Sequence, residues 1–157
     1  MLNLKKILYP TDFSEYSLAA LPYAVSIAKQ NNAELYCLHV VDMPQEEYLT
    51  SEYMVPLNVP HVPEDKVLRT ARTRMERFTK ENLSEIGKVT SRVLTGVPFV
   101  EIIRYARDQS IDLIIIGTHG HSALAAMLLG TVAEKVVRKA PCPVLTVRHP
   151  QHKFEMP

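Results

Sequence analysis

The sequence predicts an α/β fold: a three-layer αβα sandwich around a five-stranded parallel sheet; if the strand order is 3-2-1-4-5, it reverses between the first and fourth strands. Short apolar runs alternate with helix-period segments along the chain, as βαβ units require. Two of those runs, "AELYCLHVV" and "IDLIII", are almost continuously apolar, as strands covered on both faces are. Three of only five glycines fall in one stretch, "GTHGHSALAAMLLGT" (117–131), directly after the second of those runs. In such sheets ligands bind beyond the carboxyl ends of the strands, where the strand order reverses.

The elements follow in order. "KKILYP" (5–10) is a strand ended by Pro10. "TDFSEYSLAALPYAVSIAKQ" (11–30) carries Leu18, Leu21, Val25 and Ala28 as one helical stripe, with Asp12 or Ser14 as N-cap and Pro22 as an internal kink. "AELYCLHVV" (33–41) is the second strand. Residues 42–65 hold four prolines without a clean period and read as a long loop. A helix over 64–87 buries Val67, Leu68, Ala71, Met75 and Phe78. Its other face carries Arg69, Arg72, Arg77 and Lys80, read as a solvated face. "KVTSRVL" (88–94) alternates as a strand, and Pro98 opens a helix over 98–109. "IDLIII" (111–116) is the fourth strand. A last helix runs to about Lys139, and "PCPVLTVR" (141–148) is a fifth strand whose prolines suit a sheet edge. The reading is one domain over 1–148 and a frayed tail over 149–157.

Composition narrows the function. The 157 residues carry a formal net charge of +1, so nothing global points to nucleic acid. No apolar run reaches the ~20 residues of a membrane span, and "MLNLKKILYP" lacks the form of a signal peptide. Cys37 and Cys142 form no CxxC pair and read as buried free thiols in a cytoplasmic protein. His149 and His152 lack further ligands at metal spacing, and His39 reads as a strand residue of the core.

The glycine stretch carries the chemistry. Neither GxxxxGK[ST] nor GxGxxG is present; the pattern is G-x2-G-x9-G-[ST], made of Gly117, Gly120, Gly130 and Thr131. Thr131 and Glu134 have capping-box spacing at the head of the last helix, where unpaired N–H groups and the helix dipole suit an anion. The intervening "HSALAAMLL" can form a short helical detour that returns Gly130 to Gly117. On these residues alone the stretch is either a phosphate cradle or a roundabout strand-to-helix connection.

The chain resembles the universal stress proteins. "KKILYPTDFSE", "LHVVD", "GVP…EII" and "DLIIIGTHGHSAL…LLGTVAEKVVRKAPCPVLTVR" are similar to that family's motifs, over nearly the whole chain outside the 42–65 loop and the tail. The resemblance implies the adenine-nucleotide alpha hydrolase-like fold, and the glycine spacing that marks the ATP-binding branch. It implies that Pro10, Thr11 and Asp12 lie beside the nucleoside, and that Val40 main-chain groups meet the adenine edge. Ile116 would pack on the nucleoside, and Gly117, Gly120, Gly130 and Thr131 would hold phosphates. Val132 and Ala133 would lend N–H groups. His119, with His121 beside it, would either donate to a phosphate or face solvent, and Ser122 would either touch a phosphate or cap the short helix. Ala133 departs from a family position that often carries Ser or Thr, removing one hydroxyl contact. The implied ligand is ATP (or ADP or AMP), with Mg²⁺ carried on the phosphates and no metal held by protein side chains alone. A homodimer through the fifth strand, a protein partner of unknown identity, and a regulatory role in stress response complete the expectation. No Walker lysine, arginine finger or base for water is visible, so hydrolysis is expected to be slow or absent. An ATP-hydrolysing or adenylyl-transferring enzyme and a nucleotide-free interaction module are the alternatives. The glycine reading predicts that Gly117→Val or Gly130→Val abolishes binding without disturbing the fold.

Overall fold

The computed structural model describes residues 3–42, 64–119 and 129–150. Five strands, β1 (Lys6–Pro10), β2 (Glu34–Asp42), β3 (Val89–Gly96), β4 (Leu113–Gly117) and β5 (Val144–Val147), form one sheet. Its order is β3-β2-β1-β4-β5, as expected, and every pairing is parallel. The helices are α1 (Glu15–Leu18), α2 (Leu21–Asn31), α3 (Glu64–Asn82), α4 (Pro98–Asp108) and α5 (Thr131–Lys139).

Strand alternation builds two cores. Ile7, Tyr9, Leu35 and Cys37 face one side and pack with Ala24, Ala28, Met75 and Phe78 of α2 and α3. Leu8, Tyr36, Leu38, Ile114 and Ile116 face the other and pack with Ile102 and Ala106 of α4 and Ala133 and Val136 of α5. At the amino ends of the strands, Asp112 Oδ2 accepts from the N–H groups of Lys5 (2.8 Å) and Lys6 (2.9 Å), fixing β1 against β4.

The single helix expected over 11–30 is two. α1 ends at Leu18, and Pro22 lies in the first turn of α2, where its missing N–H interrupts no helical bond. The proline is therefore a helix start and not an internal kink. Pro98 opens α4 as expected, and α3 ends at Asn82 rather than Gly87. Both cysteines are free; Cys37 is buried, but Cys142 is only half-buried. Among the described residues, no helix is long and apolar enough to cross a membrane.

Candidate nucleotide-binding cleft

β1 and β4 lie side by side, and from their carboxyl ends the chain leaves for opposite faces of the sheet. A cavity of about 590 Å³ opens there, within the ~300–1,000 Å³ of typical small-molecule sites.

One wall is the β1–α1 turn. Thr11 N–H donates to Leu38 O (2.8 Å), and the Thr11 hydroxyl lies 3.0 Å from that of Ser17. Asp12 Oδ1 accepts from both the N–H and the hydroxyl of Ser14. Ser14 in turn caps α1, its Oγ accepting from Ser17 N–H at 3.2 Å. Of the two expected caps, Ser14 is the N-cap, and Asp12 orders the turn before it. Between them Phe13 has φ 62°, a left-handed conformation that a bulky residue adopts only when its surroundings hold it. They do: its ring lies 4.6 Å from the His39 ring and 5.5 Å from the Phe78 ring, between centroids. His39 Nδ1 is 2.8 Å from Thr11 O. A carbonyl can only accept, so Nδ1 carries the proton there. His39 is thus a half-buried tie between β2 and the turn that lines the cavity, and not the core residue expected.

The opposite wall is the β4–α5 connection. Gly117 meets the main chain of α1: a Cβ there would lie 2.5 Å from Tyr16 O. Thr118 N–H donates to Val147 O at 3.0 Å, and Gly130 N–H donates to Thr118 O. Gly130 therefore does return to the end of β4. The detour itself, with Gly120, His121 and Ser122, lies outside the described residues. His119 does not face solvent: it is buried, its Nδ1 2.9 Å from Thr118 Oγ1. Tyr16 sets its ring 6.0 Å from that of His119 and 5.3 Å from that of His149, which was expected in a frayed tail. His152 lies outside the described residues.

The capping box is not formed. Gly130 is the N-cap of α5, Thr131 is its first helical residue, and no side chain caps the start. Among the described residues, the main-chain donors at that end, at the positive pole of the helix, have no side-chain acceptor. The Ala133 methyl is buried in the α4–α5 core, so the position contributes main chain only.

Pro10, Thr11, Asp12, Val40, Ile116, Gly117, His119, Gly130, Thr131, Val132 and Ala133 all line this cavity. Residues 3–148 match the model described as the universal stress protein family. The chain belongs to the universal stress protein family.

It is 38% identical over 148 residues to universal stress protein MJ0531 of Methanocaldococcus jannaschii, spanning 94% of this chain and 84% of that one. The solved structure of the hypothetical protein MJ0577 superposes with a TM-score of 0.77 at 33% identity, covering 98% of this chain and 99% of that one. A universal stress protein solved in complex with cAMP superposes with a TM-score of 0.60 at 25% identity, covering 94% of this chain and 98% of that one.

This universal stress protein also places in the cavity residues that sequence reasoning passed over. Arg74 reaches it from α3, Asp42 ends β2 beside it, and Pro98 and Ile102 close it from α4. Pro98 carried a signal as a helix start next to a strand end. Arg74 carried none, being one arginine among several on a polar helix face. The expectation that Gly117→Val leaves the fold intact is overturned by the Tyr16 contact, because backbone cannot yield as a flexible side chain does.

Proposed function

We propose that the cleft binds ATP and that the chain acts as a nucleotide-dependent regulator in stress response. The observation that carries this is the G-x2-G-x9-G-[ST] spacing, together with the return of Gly130 to Thr118 at the mouth of a cavity of about 590 Å³. The phosphates would lie on the N–H groups of Val132 and Ala133 and against Thr131, the base beside Val40, and the ribose near Asp12. The start of α5 supports that polarity, since among the described residues its donors have no side-chain cap and favour an anion. The relative solved with cAMP supports an adenine nucleotide as the ligand class. Mg²⁺ would enter on the β- and γ-phosphates and neutralise their charge. With two free thiols, a reducing compartment such as the cytoplasm fits. The free edge of β5 would pair with a second copy, giving a homodimer.

Titration calorimetry of nucleotide-stripped protein with Mg-ATP tests the site. Saturable heat is expected, and none at millimolar ATP overturns the proposal. Turnover above background, lost in Asp12→Ala, would make the chain an enzyme instead. Freshly purified protein that carries no nucleotide and binds none would leave an interaction module.

A further inference from the structure

Arg74 is the one lysine or arginine among the described residues lining the main cavity. It also lines a second cavity of about 310 Å³, shared with Phe13, His39 and Val41, and so stands between the two. Among the described residues no carboxylate pairs with it. Its guanidinium carbon lies 4.5 Å from the Phe13 ring centroid. That ring is itself fixed, by the left-handed backbone of Phe13 and by His39 and Phe78 on its flanks. The cation therefore sits over an immobilised aromatic plate. A planar cation held this way is preorganised to take a second planar group on its other face, which a lysine ammonium cannot do.

The position of Arg74 decides which part of a ligand it meets. It shares the cavity with His39, Val41 and Asp42 at the end of β2, whereas Thr118 and the start of α5 lie beyond β1 at the end of β4. With β1 between them, β2 and β4 are ~10 Å apart. A nucleotide with phosphates on α5 extends its base toward β2. We infer that Arg74 stacks on the purine base, completing a Phe13–Arg74–base sandwich, and is a determinant of base affinity rather than a phosphate clamp. This rests on the reading of the cleft as an adenine-nucleotide site.

The test is calorimetry of wild type, Arg74→Ala and Arg74→Lys with ATP, AMP and adenosine. Arg74 is exposed on α3, so both variants should keep the wild-type melting temperature, which is checked first. Loss of the stack in Arg74→Ala weakens all three ligands by the same factor, ~10-fold, and Arg74→Lys does not restore it. A loss that grows from adenosine to ATP, or full rescue by lysine, overturns stacking in favour of a charge contact. Unchanged affinities in both variants also overturn it. Absence of ATP binding by the wild type itself overturns the nucleotide site, a separate and distinguishable result.

Discussion

Gly117 and Tyr16 meet so closely that a Cβ on the glycine would lie 2.5 Å from the tyrosine carbonyl oxygen, and 3.0 Å from Ser17 Cα. Glycine at the end of β4 is therefore demanded by the approach of α1, whatever else the position does. Gly117→Val should lose at least ~2 kcal/mol of stability, read as a lower urea midpoint. Gly130 differs, since φ −65° and ψ 154° are open to any residue. Gly130→Val should keep the wild-type circular dichroism and lose no more than the ~1 kcal/mol of a poorer N-cap, while losing ATP binding. Equal destabilisation by the two substitutions would contradict this distinction.

Asp12 has two separable tasks, and two substitutions separate them. Its Oδ1 accepts from Ser14 N–H and hydroxyl, a local contact that an asparagine oxygen can make as well. Asp12→Asn should keep the turn and the stability, whereas Asp12→Ala should lose ~1 kcal/mol, as should Ser14→Ala through its cap. If the carboxylate contacts the ribose, Asp12→Asn still weakens ATP binding. Thermal melts with and without ATP read both effects on one sample. Asn and Ala variants with equal melting temperatures would show that the Asp12–Ser14 contact does not order the turn.

The broad plan was legible in the sequence because its signals are local. Apolar runs of strand length, Pro98 before a helical stripe and the clustered glycines each report on a few neighbouring residues, and together they lead to a parallel sheet with helices on both faces; the order β3-β2-β1-β4-β5, and with it the cleft at the reversal, came with the family resemblance. Errors arose where one local signal hid another. The stripe from Leu18 to Ala28 spans two helices, so Pro22 resembled a kink while starting α2. Thr131 and Glu134 have capping spacing, yet Gly130 takes the cap one residue earlier. The contacts of His39 and Arg74 were beyond reach for a different reason. His39 gains its role from Thr11, 28 positions away in the sequence, and Arg74 from Phe13, 61 away, through contacts that no local pattern encodes.

The buried thiol and phenol make stability fall in alkali. Burial pushes Cys37 from its ordinary 9.0 to about 12 and raises Tyr9 as well. Above pH 9 the unfolded chain releases these protons while the native state keeps them, so the unfolded state binds fewer protons and stability declines as pH rises. The contribution is complete below pH 9 and is lost toward pH 12, at up to ~1.4 kcal/mol per pH unit for each group. Urea midpoints between pH 7 and 11 should show the decline, with a shallower slope in Cys37→Ala. A thiol reagent at pH 8 should modify half-buried Cys142 slowly and Cys37 only after denaturation. Two reactive thiols in native protein would contradict the burial argument.

The proposed dimer can be tested at one main-chain position. Ile114 N–H donates to Pro143 O and Thr118 N–H to Val147 O, both at 3.0 Å. Alternate residues of a strand turn their main-chain groups to opposite sides. Positions 143, 145 and 147 therefore face β4, and Val144 and Thr146 face the open edge. Thr146→Pro removes an N–H that no described strand of this chain uses, and proline is tolerated on edge strands. The variant should keep its fold and its ATP affinity while sedimenting as a monomer at concentrations where the wild type is a dimer. Leu145→Pro should instead unfold the edge, because its N–H belongs to the β4 ladder. A Thr146→Pro protein that still sediments as a dimer would move the interface away from β5, to another face of the sandwich.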